Sequence, residues 1–174
     1  SIIVFYTFNI VYKRNTFIDN RIPLIAMPTT AGTGSEVTAV SVCNDEATGA
    51  KAPLLHPNFY PSVAVIDPML TISVPPKITA ATGLDALSHA LEGYWSVNHN
   101  PICDIFAKRS AKLIFDNILT AYKNGKNIEV RYNMSIASTY AGLAFAIPKT
   151  AGVHACSYPL SEKYGLSHGE ACAL

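Results

Sequence analysis

The sequence predicts an α/β segment over residues 1–70 followed by an all-helical segment over residues 71–174, each an incomplete domain. Three observations predict it. Up to about residue 70, apolar residues come in short β-branched runs separated by turn residues. Beyond residue 70 they recur at helical spacing, with Asn, Pro and Gly at the expected ends. The chain is also 49% hydrophobic and 14% charged, enough for a core and unlike a disordered sequence.

The elements follow in order. Residues 1–21 offer one strand candidate, residues 8–12, which the pattern does not place. Residues 24–28 are an apolar run ending in a Thr/Gly-rich turn. Residues 37–42 alternate and are rich in β-branched side chains, with Asn44-Asp45-Glu46 as their turn. Residues 62–67 read as a buried strand stopped by Pro68. Pro75-Pro76 suits a helix start, and residues 78–94 carry the apolar period. Asn100 is an N-cap followed by Pro101 at the first helical position, and that helix stops at Asn124-Gly125. Residues 127–146 form another helix, with small residues for close packing, ended by Pro148. Two shorter helices are expected to carry His154 and His168.

Composition excludes some roles. A net charge of +1 gives no electrostatic case for nucleic acid or an anionic membrane. The apolar start, residues 1–10, is too short to span a bilayer and lacks the basic flank of a signal peptide. Cys43, Cys103, Cys156 and Cys172 show no C-x-x-C spacing and read as reduced, buried thiols of a cytoplasmic protein.

The chemistry concentrates in Thr82-Gly83-Leu84-Asp85-Ala86-Leu87-Ser88-His89-Ala90-Leu91-Glu92. Spacing i, i+4 sets Asp85 and His89 on one helix face, one turn apart. Alone, such a pair is more often a surface pair than a ligand pair, but the stretch is apolar and a buried charge needs a partner. His154 and His168 follow downstream. One carboxylate and three imidazoles complete a ligand set for Zn²⁺ or Fe²⁺, with room for a substrate oxygen. The loop Thr29-Thr30-Ala31-Gly32-Thr33-Gly34-Ser35 permits close backbone approach and offers hydroxyls to a ligand, though it is not the G-x-G-x-x-G fingerprint. His56 and His99 stand outside any motif and read as structural or exposed.

These residues resemble the iron-containing, or group III, alcohol dehydrogenase family. The likeness covers residues 23–174. Its motifs are Pro28-Thr29-Thr30-Ala31-Gly32-Thr33-Gly34-Ser35-Glu36, then Ala64-Val65-Ile66-Asp67 through Pro75 and Ala80-Ala81-Thr82 to Asp85-Ala86-Leu87 and Glu92, and last Gly152-Val153-His154 to Leu166-Ser167-His168-Gly169. The resemblance implies a dehydroquinate synthase-like architecture. Residues 1–70 then end a dinucleotide-binding domain, and residues 71–174 begin a helical metal-binding domain. It implies that Asp85, His89, His154 and His168 hold Fe²⁺, with Zn²⁺ equally acceptable to the donors. It places Thr29, Thr30, Thr33, Lys51 and Leu70 against NAD or NADP. It also implies a small alcohol or aldehyde as substrate and a homo-oligomer for the whole protein. Family members carry a Gly-Gly-Gly-Ser pyrophosphate loop. None is present here, so the chain reads as the middle of such an enzyme, without turnover by itself.

One position departs from the family. Many members carry a second histidine four residues after His154, and Tyr158 stands there. With a pKa near 10, Tyr158 is a poorer proton shuttle at neutral pH but still a hydrogen-bond donor, and it is the candidate catalytic residue. The runs Tyr94-Trp95-Ser96-Val97-Asn98 and Ser157-Tyr158-Pro159-Leu160 resemble the branch that includes phosphonoacetaldehyde reductases. Lys149 would serve an anionic substrate there, or else cap a helix end. The competing readings are a non-catalytic, truncated metal-binding fragment and a lyase of the dehydroquinate synthase type. The Asp85 run favours a dehydrogenase over the lyase.

Overall fold

The computed structural model describes residues 22–44 and 51–174 (backbone alone for 43, 44 and 51–54). Of the five helices among them, three start at side chains that satisfy the first free N–H groups. Helix α1 spans Pro76–Trp95, entered from an extended Pro75. Helix α2 spans Pro101–Lys123, where the Asn100 side chain accepts from the N–H groups of Ile102 and Cys103. Helix α3 spans Ile128–Phe145, capped in the same way by Asn127. Helix α4 spans Gly152–Tyr164 and stops at Gly165, whose φ of 67° is left-handed. Helix α5 spans His168–Ala173 behind a Ser167/Glu170 capping box.

Helices α1, α2 and α3 enclose the core. Ala86 and Ala90 of α1, Ile114 and Ala121 of α2, and Val130, Met134, Ala137 and Ala141 of α3 form one buried cluster. The many alanines bring backbones close, which is why Ser110 Oγ reaches the Ala137 carbonyl across the α2–α3 contact at 2.7 Å. Arg131 ties the far end together. Its guanidinium donates to the Gly125 carbonyl, Thr79 Oγ1 and the Val74 carbonyl at 2.7, 2.8 and 2.9 Å.

The strands are shorter than the sequence suggests. Strand β1, Ile25–Ala26, pairs in parallel with β4, Val63–Ala64, in the register Ile25 to Val63. Strand β2, Val40–Asn44, pairs antiparallel with β3, Lys51–Leu55, from Val40–Leu55 to Asn44–Lys51. Three expectations are corrected. Only two residues of the run 24–28 are strand. In the run 37–42, Val37 closes a 3₁₀ turn, Ser35–Val37, and the strand starts at Val40. The 62–67 strand is not buried: Val63 is 49% exposed, because no third layer of the described residues covers the β1–β4 pair. Strand β3 was not expected, since Pro53 interrupts its pattern. The strand candidate at residues 8–12 and the turn residues Asp45 and Glu46 lie outside the described residues. Among the described residues no helix is long and apolar enough to cross a membrane.

Candidate metal centre and cleft

The site is built on the buried face of α1. Asp85, His89 and Glu92 sit at i, i+4 and i+7, so one stripe of this helix carries two carboxylates and an imidazole among alanines. Asp85 is 4% exposed, His89 7% and Glu92 0%. Helix α4 brings His154 over that stripe and α5 brings His168. Helix α5 is pinned against α1 by close contact: a Cβ on Gly169 would lie 2.0 Å from the Ala81 carbonyl oxygen. Ser88 Oγ also donates to the Cys172 carbonyl at 3.3 Å.

Four donors converge. Asp85 Oδ1 lies 3.5 Å from His154 Nε2 and 3.5 Å from His168 Nε2. With Cys172 Sγ, these atoms all lie within 4.8 Å of one another. His89 Nδ1 is slightly farther, 3.9 Å from Asp85 Oδ1. Its ring is stacked between Phe145, 4.2 Å away, and His154, 4.4 Å away. Asp85 Oδ1, His89 Nδ1 and His154 Nε2 are buried without a hydrogen-bond partner. Orphaned polar atoms of this kind are costly to bury, and here they face one another. The residues therefore fit a divalent cation.

Behind the donors, Glu92 fixes His154. Its Oε2 accepts from His154 Nδ1, and its Oε1 accepts from the Ala151 and Val153 N–H groups at 3.0 and 2.7 Å. A carboxylate on the far imidazole nitrogen leaves Nε2 as the free donor atom, the arrangement that orients metal-binding histidines. Sequence reasoning quoted Glu92 only as part of a motif. The available signal was a glutamate continuing the Asp85/His89 stripe.

The charges are consistent with this geometry. Burial pushes His89 down to about 4, against the pull of Asp85 and a backbone hydrogen bond with Gly32, so it is a neutral imidazole. Burial also works against charge on His154, but the neighbouring Asp85 and Cys172 and the hydrogen bond to Glu92 outweigh it and raise the group to about 10. A proton there occupies the position between two carboxylates that a cation would otherwise neutralise. His168 is raised chiefly by its hydrogen bond with Cys172, against burial and with the help of Asp85. Burial alone would raise Cys172, but the neighbouring His154, His168 and Ser157 bring it down to about 7.

The donor cluster opens into a cleft of about 660 Å³. Its lining includes Asp85, His89, His154, His168 and Tyr158, the loop residues Thr33, Ser35 and Thr38, the strand residues Val40, Val42 and Leu55, and Phe145, Lys149 and Thr150. The Tyr158 ring stacks on His168 with centroids 6.4 Å apart. Lys149 adopts a left-handed backbone with φ 70°, and is the non-glycine residue that does so among those described. Its Nζ donates to the Ala146 carbonyl at the end of α3, which matches the helix-capping reading, while the residue still lines the cleft.

The dinucleotide candidates are not gathered in one place. Thr33 lines the cleft. Thr30 instead borders a separate small cavity with Glu36, Ser135 and Thr139. Thr29 is exposed, and Leu70 sits half-buried in the 3₁₀ turn Pro68–Thr71. Lys51 pairs through its backbone with Asn44, and its side chain is outside the described residues. His56 and His99 are structural: His56 Nδ1 accepts from the Asn58 N–H at 3.1 Å, and His99 pairs with Asp104 at 3.1 Å. Cys156 is exposed rather than buried, whereas Cys103 and Cys172 are buried.

The chain matches known proteins over most of its length. Residues 79–174 match the family model described as Fe-containing alcohol dehydrogenase family, C-terminal, and residues 2–68 match that described as iron-containing alcohol dehydrogenase. The chain is 46% identical to long-chain-alcohol dehydrogenase 1 of Geobacillus thermodenitrificans, covering 88% of this chain and 38% of that one. It is 44% identical to a 1-propanol dehydrogenase of Salmonella typhimurium, covering 86% and 40%. Among solved structures it resembles sulfoacetaldehyde reductase from Bifidobacterium kashiwanohense in complex with NAD⁺, at 56% identity and a TM-score of 0.86, over 88% of this chain and 41% of that chain. A 1,3-propanediol oxidoreductase gives a TM-score of 0.87 at 39% identity, over 90% and 41%. The chain thus spans about two fifths of the length of these relatives.

Proposed function

This chain belongs to the iron-containing alcohol dehydrogenase family, and from that premise we propose that the whole protein is a metal-dependent, NAD-linked reductase of a small anionic aldehyde. The observation that carries the reading is the shared cleft. Asp85, His89, His154 and His168 line the same cleft as Lys149 and Thr150.

In this reading Asp85, His89, His154 and His168 hold Fe²⁺, and the same donors accept Zn²⁺. When bound, the ion supplies positive charge that polarises the aldehyde oxygen or lowers the pKa of the alcohol. Glu92 keeps the His154 tautomer correct. Phe145 stacks on His89 and keeps water from its apolar face. Tyr158 reaches the cleft as a hydroxyl donor toward the oxygen that gains a proton. Thr33 and Ser35 offer hydroxyls to the cofactor from the facing loop, with Thr29, Thr30, Lys51 and Leu70 completing its contacts in the whole protein. We place the boundary between the dinucleotide-binding and helical domains at residues 70 and 71. The free thiols Cys103, Cys156 and Cys172 suit a reducing cytoplasm.

The substrate class rests on Lys149 and on the likeness to a sulfoacetaldehyde reductase. A sulfonate or phosphonate one methylene from a carbonyl needs a charge-assisted donor, which a neutral aldehyde does not. Steady-state kinetics with sulfoacetaldehyde, phosphonoacetaldehyde and propanal under saturating NADH, then NADPH, test the proposal. Higher kcat/KM for one of the anions supports it. Equal efficiencies, or a preference for propanal, return the protein to ordinary short-chain alcohols.

A further inference from the structure

Helix α5 presents two donor side chains on one face, His168 and Cys172, one turn apart. His168 belongs to the ligand set proposed above, whereas the Cys172 thiol has no part in it. Cys172 is 5% exposed, and its Sγ lies 3.8 Å from His168 Nε2. Tetrahedral ligands about 2.0–2.3 Å from a Zn²⁺-sized ion stand roughly 3.3–3.8 Å from one another. The pairs Asp85–His154, Asp85–His168 and His168–Cys172, at 3.5, 3.5 and 3.8 Å, fall in that interval, and all four donor atoms lie within 4.8 Å of one another. Two of these atoms, Asp85 Oδ1 and His154 Nε2, are also buried and unpaired, and both aim into the space that Sγ borders.

We propose that Cys172 is a sulfur ligand of the metal centre, joining Asp85, His154 and His168, with His89 as the more distant donor. This rests on the metal reading given above and deepens it. On binding, the thiol releases its proton to solvent and the sulfur lone pair goes to the ion. No electron changes hands. A thiolate is a soft donor, so it biases the centre toward Zn²⁺ over Fe²⁺ relative to a set of oxygen and nitrogen alone. The placement is not accidental packing of a small apolar side chain. The Gly169–Ala81 contact and the Ser88–Cys172 hydrogen bond fix the rotation of α5 that turns this thiol, rather than Ala171 or Ala173, to the donors.

Cobalt substitution tests it without relying on turnover. Metal-free protein, in a Cys156→Ser background that removes the exposed thiol, is titrated with Co²⁺. The expected result is one equivalent bound, visible d–d bands, and a near-ultraviolet sulfur-to-cobalt charge-transfer band that Cys172→Ser abolishes while the d–d bands remain. Zinc K-edge absorption of the same protein with unaltered Cys172 gives a second reading that needs no Cys172 variant. A Zn–S shell at about 2.3 Å supports the proposal, and a first shell of nitrogen and oxygen alone overturns it. Bound cobalt without the charge-transfer band, or a band that survives Cys172→Ser, overturns the sulfur ligand and leaves the metal centre standing. Absence of d–d bands at stoichiometric Co²⁺ overturns the metal centre and the sulfur ligand together.

Discussion

His154 Nδ1 donates to Glu92 Oε2 across 62 residues of sequence, and the acceptor is wholly buried. That bond decides which imidazole nitrogen faces Asp85. Glu92→Gln replaces an acceptor by an amide that can present N–H to Nδ1. His154 then takes the other tautomer and points a proton, not a lone pair, at the donor cluster. The expected outcome is about 10- to 100-fold weaker metal retention against a competing chelator, with modest loss of stability. Glu92→Ala is expected to cost more, about 2–5 kcal/mol, because the Ala151 and Val153 N–H groups lose their acceptor as well. Unchanged metal affinity in Glu92→Gln would show that the bond is structural only.

Metal removal exposes a pH dependence with a definite sign. In the metal-free protein His154 is raised to about 10, against about 6.5 in an unfolded chain. Its contribution is complete below about 6.5 and is lost as pH rises through about 10. His89, lowered to about 4, acts in the opposite sense: stability is lost as pH falls from about 6.5 toward 4. Cys172, lowered from about 9 to about 7, adds stability between those values and offsets His154 there. Chelator-treated protein is thus expected to hold its Tm from about pH 7 to 9 and lose it toward pH 10 and below about 6.5. Metal-loaded protein should instead lose its ion, and with it stability, on the acid side, where protons compete for the same nitrogens. Thermal melts across pH 5–10, with and without chelator, check both arms. A Tm of the stripped protein that climbs from pH 7 to 10 is the contrary result.

The helical half was legible because its signals are local. Asn100 and Asn127 cap through their own next residues, and Gly165 ends α4 by adopting the φ that glycine allows. The shared helix face of Asp85 and His89 was legible as well, from their spacing alone. What failed depended on distant partners. Strand β3 exists because Lys51–Leu55 pairs with β2, and Pro53 hides it from pattern reading. Val63 looks like core by hydropathy, yet it is 49% exposed, because among the described residues no further layer covers that sheet face. Glu92 and Cys172 were overlooked because their meaning comes from α4 and α5 folding back onto α1, a relationship that no window of sequence contains.

Gly169 carries the contact that places α5. Gly169→Ala would set a Cβ 2.0 Å from the Ala81 oxygen and 2.5 Å from its carbonyl carbon, both backbone atoms of α1 that cannot step aside. Helix α5 must then move outward, taking His168 and Cys172 with it. The expected cost is about 1–3 kcal/mol, together with loss of bound metal. Gly152→Ala is the control, because its added Cβ meets nothing within 4 Å. It is expected to be neutral or slightly stabilising. Denaturant melts and metal content of the two variants make the comparison, and equal behaviour of the pair would dissociate α5 placement from the site.

Lys149 holds a backbone conformation that a glycine would adopt without strain. Its φ of 70° costs a lysine about 1–2 kcal/mol, and the turn is held by the Lys149 N–H to the Phe145 carbonyl and by Ser96 Oγ to the Pro148 carbonyl. A strained lysine lining the cleft beside Thr150 suggests that the side chain matters more there than the fold does. Lys149→Gly is expected to be as stable as the parent or more so, by up to about 1 kcal/mol, since strain relief offsets the greater freedom of the unfolded chain and the lost bond to the Ala146 carbonyl. The same variant should raise KM for sulfoacetaldehyde or phosphonoacetaldehyde about 10-fold or more and leave propanal nearly unchanged, because only the anions lose a charge-assisted donor. Lys149→Arg keeps the charge and separates the two effects: it retains the strain and part of the anion preference. Parallel measurements of Tm and of kcat/KM for an anionic and a neutral aldehyde decide the matter. If Lys149→Gly loses stability and both substrates suffer alike, the lysine serves only as the cap of α3, and the anion must be held from another wall of the cleft.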